Sequence, residues 1–506
     1  MVTRGGSIGR RKFLGLGAAA AAGMGFWADL EAYPQNVNRN SIASGLKITD
    51  MRIAVLRGPG GRPEQEGNGG PSSAGSEGLS VGGRNSASVS GAAQRRQQPV
   101  VPPATPGAGA ASGGTIVVRI DTNQGISGYG QAIGDGPQPN YILMHKARLL
   151  GENPCNVDRI FRKIKLHGGY NRQGSGVNAI ENALWDLAGK AYDVPIYQML
   201  GGKFRDRIRM YTEGDPKSNS IEDIAADYKE RVGKGFTMLK YDLPVVPILR
   251  GKKGMIFAPD KYNGDPGDVA PENYYTGLEI SDKGCEMVAD HVAAIKAAMG
   301  DAGDTPMGHD HFGHLTVKSC IKLANAMERV NPSYLEDMVP WFRVQEWKLI
   351  TDSVKVSTLT GEDAYLTESL EALCQARAVD YIHPDHLVIG GALELKKTSD
   401  MAAKYSVGMM VHSNATPIGY ACAAHTIAAC ENFLAMEWHQ TQPAWHKDIC
   451  DKGDLVVDGH IPVPTGPGLG IKVNEEAMKN LCRPGEFFTD PTTYWDSQVG
   501  GEKTYT

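Results

Sequence analysis

The sequence predicts an α/β protein whose larger part is an eight-stranded barrel of alternating strands and helices. Three observations carry that prediction. From about residue 205 onward, short β-branched or apolar runs end in a polar residue, and each is followed by a helix-like stretch. From the third run to the eighth, the polar residues that close the runs recur every 23–27 residues, roughly the length of one strand, one helix and two loops. Upstream of this repeat, residues 47–56 and 115–121 read as strands that do not belong to it and so imply a second, smaller unit.

Composition narrows the class further. The 506 residues carry 57 Asp+Glu against 52 Lys+Arg, a net charge of -5, whereas a dedicated nucleic-acid binder shows a basic excess. No run of 18 or more apolar residues exists, which excludes a polytopic membrane protein. The 8 cysteines are scattered, with no CxxC pair, so zinc-ribbon and thioredoxin-like sites are excluded and most are expected to be buried thiols.

Taken in chain order, the first element is an address. Arg10-Arg11-Lys12-Phe13-Leu14-Gly15 precedes a short Ala/Gly-rich apolar stretch ending near Trp27. This resembles a twin-arginine export signal, which implies export of the folded protein to a periplasmic or extracytoplasmic location. Residues 1–45 are therefore assigned to signal and linker. The strands at 47–56 and 115–121 follow, separated by residues 58–114, a Gly/Ser/Pro/Gln-rich insertion with too little apolar content to form a core.

The barrel strands are expected at 207–211, 237–242, 306–310, 333–336, 356–362, 380–385, 408–412 and 433–437. The polar residues Asp310, Glu336, Glu362, Asp385, His412 and Glu437 close the last six of these runs. In a parallel barrel such strand ends converge on one face, where catalytic groups gather. A helix N-cap explains any one of these polar residues, but not six in register. The stretch 243–284 exceeds an ordinary strand–helix loop and falls on the same face.

Several separate motifs then carry a resemblance. Asn178-Ala179-Ile180-Glu181-Asn182-Ala183-Leu184-Trp185-Asp186-Leu187-Ala188-Gly189-Lys190, Gly361-Glu362, His383-Pro384-Asp385, Gly390-Gly391 and Pro464-Thr465-Gly466-Pro467-Gly468-Leu469-Gly470 closely resemble, in family order, the mandelate racemase / muconate lactonizing branch of the enolase superfamily, its sugar-acid dehydratases in particular. The resemblance covers most of the chain from about 46 to 480. It implies a modified (β/α) TIM-type barrel with an α+β capping domain formed by the N-terminal segment and the C-terminal tail. The expected division is a cap at 46–204, a barrel at 205–450 and a returning segment at 451–506. A homo-oligomer is implied in the same way.

The resemblance also assigns roles. Asp310, Glu336 and Glu362 match the family's three metal ligands, and hard oxygen donors without nearby cysteine suit Mg²⁺. His412 and Asp385 match a His-Asp dyad in which the carboxylate fixes the imidazole tautomer of a general base. Glu437 matches an acid beside the substrate carboxylate. Lys240 matches the first lysine of a Lys-x-Lys pair, while Asp242 stands where the second is usual, a departure that weakens a two-base racemase. Where related dehydratases often carry a histidine, this chain has Phe312. The acid for a leaving hydroxyl would then come from His311 or His314, with His314 preferred because His309 and His311 alternate into the barrel wall. The expected activity is Mg²⁺-dependent removal of the proton α to a carboxylate, leading to dehydration of a sugar acid to a 2-keto-3-deoxy acid. An epimerase, racemase or cycloisomerase of the same superfamily, or a catalytically silent periplasmic binder of acidic sugars, are the other readings. No nucleic acid or membrane partner is expected.

Overall fold

The computed structural model describes residues 43–57, 114–133, 139–168, 174–249, 252, 254–257, 279–310, 312, 315–439, 443–488 and 492–497. The proposed export signal, nearly all of the 58–114 insertion, His311, His314 and most of the 243–284 stretch lie outside the described residues.

Strands β1 (Ile48–Leu56) and β2 (Thr115–Thr122) pair antiparallel from Ile48↔Thr122 to Leu56↔Thr115, and β3 (Ser127–Gln131) pairs with β2. The two β-branched segments that flank the insertion are thus neighbours in one sheet. Helix α1 (Ser175–Tyr192) packs on this sheet, and every residue in it except Lys190 and Tyr192 is buried, as befits a helix covered on more than one side. Close approach requires glycine in β3: a Cβ on Gly128 would lie 2.2 Å from Ala183 O, and one on Gly130 would lie 2.0 Å from Ala179 O.

Eight parallel strands then close into a barrel: β4 (Arg207–Glu213), β5 (Leu239–Asp242), β8 (Met307–Asp310), β9 (Leu335–Glu336), β10 (Thr358–Thr360), β11 (Tyr381–Ile382), β12 (Gly408–Val411) and β13 (Phe433–Trp438), with β13 returning to β4. A small ribbon, β6 (Met255–Phe257) with β7 (Glu279–Ile280), lies in the long connection after β5. Helices α2 (Ile221–Gly233), α3 (Asp282–Met299), α4 (Val317–Met327), α5 (Val344–Ser353), α6 (Thr367–Ala376), α7 (Ala392–Lys404) and α8 (Pro417–Ala428) follow the first seven barrel strands. Among the described residues the eighth strand is followed only by a 3₁₀ turn, Ala444–Asp448. The chain next adds β14 (His460–Pro462) antiparallel to the start of β4 and runs back to the cap. There the Gly468 N–H donates to Val194 O, Phe487 bridges Ala54, and Arg57 pairs with Glu486 in a buried salt bridge.

The barrel is filled in layers, as period-two alternation requires. Tyr211, Met238, Tyr334, Leu359, Met410 and Ala435 form a buried cluster inside it. Gly308 gives the Tyr334 ring room, since a Cβ there would lie 2.1 Å from Tyr334 Cζ. Two residues further along their strands stand Glu213, Lys240, Asp310, Glu336, His412 and Glu437, all buried. The apolar layer is the floor of the site, and this polar layer is its lining. Of the cysteines, six are buried and none is paired.

Candidate active site

The three acids expected to bind metal meet around Glu336. Donor atoms of Asp310, Glu336 and Asp337 lie within 4.8 Å of one another, as do those of Glu336, Glu362 and His383. Asp310 and Glu362 therefore reach Glu336 from the two flanking strands, β8 and β10. Burial, with Asp310 and Glu362 alongside, pushes the Glu336 carboxyl well above the usual carboxylate range. Neither Glu336 oxygen has a hydrogen bond of good geometry. A crowd of buried, mutually repelling oxygen donors fits a divalent cation of the Mg²⁺ kind.

Lys240 offsets part of this charge. Its Nζ lies 2.8 Å from Asp310 Oδ2, 3.4 Å from Glu336 Oε2, 3.3 Å from Glu437 Oε1 and 3.5 Å from Glu213 Oε1. Burial opposes the charge on Lys240, but the surrounding carboxylates hold its pKa well above the ordinary lysine value. Asp242, one period further along β5, is exposed at the rim.

His412 follows the last residue of β12, and Asp385 lies three residues beyond β11; a parallel bridge between them extends the ladder past both strands. His412 Nδ1 is 2.5 Å from Asp385 Oδ2, and Asp385 Oδ1 accepts from the Leu387 N–H. Burial opposes ionisation of Asp385, yet His412 and that N–H keep its pKa below the usual value. The other ring nitrogen, His412 Nε2, faces the mouth, 3.4 Å from Glu362 Oε2 and 3.3 Å from Glu437 Oε2. Burial disfavours the imidazolium, but Glu362, Glu437 and Asp385 hold His412 well above the ordinary histidine value. Glu437 Oε2 also accepts from the Ser413 N–H at 3.1 Å.

The structure brings Asp310, Glu336, Glu362, Lys240, Asp385, His412 and Glu437 to one face, with Asp242 at its edge. His311 and His314, the two histidines expected to offer the leaving-group acid, lie outside the described residues. Phe312 is buried and apolar, and His309 is buried in the wall, stacked edge-on against Tyr241. Sequence reasoning missed four residues. Glu213 ends β4 beside Lys240 and Glu437. His439 lies 3.9 Å from Glu213 Oε2. His383 is wedged between Tyr211 OH, at 2.7 Å from Nε2, and Glu336. Asp337 adjoins Glu336 with a positive φ of 43°. Extending the first run by one period of two would have found Glu213.

Residues 223–477 match the family described as Enolase C-terminal domain-like, and residues 92–201 match the Mandelate racemase / muconate lactonizing enzyme, N-terminal domain. The chain belongs to the enolase superfamily, in its mandelate racemase / muconate lactonizing branch. It is accordingly an enzyme of that superfamily. Among its relatives, a D-xylonate dehydratase of Haloferax volcanii is 32% identical over 74% of this chain and 87% of that protein. A D-gluconate dehydratase of Thermoproteus tenax is 25% identical over 75% of this chain and 72% of the relative. The crystal structure of a mandelate racemase/muconate lactonizing enzyme-like protein from Rubrobacter xylanophilus superposes with a TM-score of 0.66 at 25% identity, covering 88% of this chain and 99% of that one.

Proposed function

We propose that this enzyme is a Mg²⁺-dependent sugar-acid dehydratase that acts on an aldonate of the D-xylonate type. The observation that carries the reading is the His412–Asp385 dyad, whose Nε2 opens onto the same mouth as the Asp310, Glu336 and Glu362 carboxylates. Similarity to named D-xylonate and D-gluconate dehydratases supports the substrate class.

Asp310, Glu336 and Glu362 would hold the ion, which when bound supplies positive charge to offset the substrate carboxylate and the second negative charge that develops beside it. His412 Nε2 takes the α-proton. Asp385 holds the Nδ1–H, which fixes the tautomer and stabilises the imidazolium that forms. Lys240 sets the electrostatics of the carboxylate end, and Glu437 lies between Lys240 and the base. The buried Tyr211/Tyr334 floor keeps water from entering beneath the site. Asp242 in place of the second lysine weakens a two-base racemase and so favours elimination over racemisation. In this reading the Arg10-Arg11 segment exports the folded enzyme.

The reading is tested by incubating the purified protein with D-xylonate or D-gluconate and Mg²⁺ and assaying the 2-keto-3-deoxy acid. Product is expected, is abolished by EDTA and returns with added Mg²⁺. Absence of product from these and a wider set of aldonates, with Mg²⁺ present, contradicts it.

A further inference from the structure

Loss of a β-hydroxyl needs two proton transfers, one from carbon and one to the departing oxygen, because hydroxide is a poor leaving group. His412 accounts for the first. For the second, the position where related dehydratases often carry a histidine is the buried Phe312, which has no proton to give. We propose that Glu213 is the general acid of the elimination, a role that rests on the dehydratase reading above.

Its place in the barrel is the first argument. Glu213 lies one period above Tyr211 on β4, in the same inward-facing layer as Lys240, Asp310, Glu336, His412 and Glu437. The second argument is its partner. The Glu213 and Glu437 carboxyls crowd the same buried ammonium, Glu213 Oε1 at 3.5 Å and Glu437 Oε1 at 3.3 Å from Lys240 Nζ, and two buried carboxyl groups so close favour a state in which one keeps its proton. The donors around them decide which. Glu437 faces the Lys240 ammonium at 3.3 Å, the Ser413 N–H at 3.1 Å and His412 Nε2 at 3.3 Å. Glu213 faces Lys240 at 3.5 Å, with Asp242, His439 and Tyr228 as its other titratable neighbours. Glu437 is the carboxylate of the pair and Glu213 the acid. Burial, with Asp242 and Glu437 close by, pushes Glu213 well above the usual carboxyl range, in the same direction as the geometry. His439, 25% exposed, lies 3.9 Å from Glu213 Oε2 and gives it a route to solvent for reprotonation.

The C2–H bond breaks, its proton passes to His412 Nε2, and its electron pair becomes the C2=C3 bond. The C3–O bond breaks as Glu213 transfers its proton to the departing oxygen, and water leaves. The enol becomes the 2-keto acid when C3 takes a proton from His412 and the enol hydroxyl releases one to solvent. Glu213 takes one back through His439.

The experiment compares wild type, Glu213→Gln and Glu213→Asp on two substrates, D-xylonate and its 3-deoxy-3-fluoro analogue, in D₂O with Mg²⁺. Fluoride leaves without a proton. In Glu213→Gln, water loss from D-xylonate is expected to fall by about 10²–10⁴-fold. Exchange of the C2 proton and fluoride release should continue near the wild-type rate, with Glu213→Asp between the two. The ratio of exchange to elimination is internal to each folded molecule, so a poorly folding variant still reports it. Parallel loss of exchange, water release and fluoride release, or unchanged water release, overturns the proposal. A wild-type protein that releases neither water nor fluoride overturns the dehydratase reading itself, which separates the two failures.

Discussion

Lys240 offsets part of the charge of the mouth: one buried ammonium stands within 3.5 Å of Glu213, Asp310, Glu336 and Glu437. Removing one partner of a buried ionic cluster leaves the others uncompensated, typically at a cost of ~3–5 kcal/mol. Lys240→Met should therefore lower the urea midpoint sharply, and more so in EDTA than in Mg²⁺, because a cation takes over part of the lysine's role. An unchanged midpoint in both buffers contradicts this account of the cluster. Asp310, Glu336 and Glu437 were legible in the sequence because each closes a short, mostly apolar run, and Lys240 through its match to the first lysine of a Lys-x-Lys pair. Glu213 was not, because Thr212 and Glu213 follow Tyr211 and a hydrophobic-run reading stops at the first polar residue. A strand lining an active site stays extended while its inward face turns polar. His383 stood in a recognised motif, but only its contacts with Tyr211 and Glu336 give it a role.

Among the elements, helix α1 joins the cap to the barrel. Glu181 on α1 accepts from the Ala392 and Leu393 N–H groups at the start of α7 and from the Trp185 indole. Gly391 precedes α7 with a φ of 109°, and a Cβ there would lie 2.1 Å from Glu181 Oε2. Asp186, five residues along α1, accepts from the Tyr129 N–H of β3 and the Leu469 N–H of the Gly466–Gly470 turn. Motifs far apart in sequence are thus parts of one junction, which their spacing alone did not show. Glu181→Ala would leave the Leu393 N–H and the Trp185 indole without their acceptor, while the Ala392 N–H keeps Asn182 Oδ1; at ~1–3 kcal/mol for each orphaned donor, a loss of at least ~2 kcal/mol by urea unfolding is expected. Glu181→Gln, which keeps one accepting oxygen, should lose less; equal stability of the two variants contradicts the capping account. Strand ends were legible only approximately. Glu362 lies two residues beyond β10, past a Gly361 with a φ of 128°, and Asp385 lies beyond β11. In these two runs reading through to the acid overestimated strand length, whereas β8 and β9 end on Asp310 and Glu336 and β13 runs one residue past Glu437.

At the scale of the whole molecule, the eightfold repeat was legible because each strand–helix unit is a local pattern. The closure of β13 onto β4 and the 3₁₀ turn where an eighth helix might follow depend on contacts distant in sequence. Acid sensitivity is also a property of the whole fold. Burial lowers His145 to about 3 and His425, stacked on Tyr197, to about 4. Both stay neutral in the folded protein while the unfolded chain takes up protons below ~6.5. Their contribution is therefore fully present above that pH and is lost as pH falls toward their folded values. Between pH 6 and pH 4.5, His145 alone should account for about 2 kcal/mol of lost stability, at ~1.4 kcal/mol per pH unit. His145→Leu should flatten the pH dependence of the urea midpoint by that amount, and an unaltered slope would count against it.

The central claim is that His412, held by Asp385 beside the Asp310, Glu336 and Glu362 carboxylates, removes the proton α to a carboxylate. It is tested most directly by following the C2 proton of D-xylonate by NMR in D₂O, with wild type and His412→Asn, in Mg²⁺ and in chelator. The account predicts loss of the C2 signal, by exchange or by conversion to the keto-deoxy acid, only for wild type in Mg²⁺. Loss of that signal at the wild-type rate in His412→Asn would contradict it.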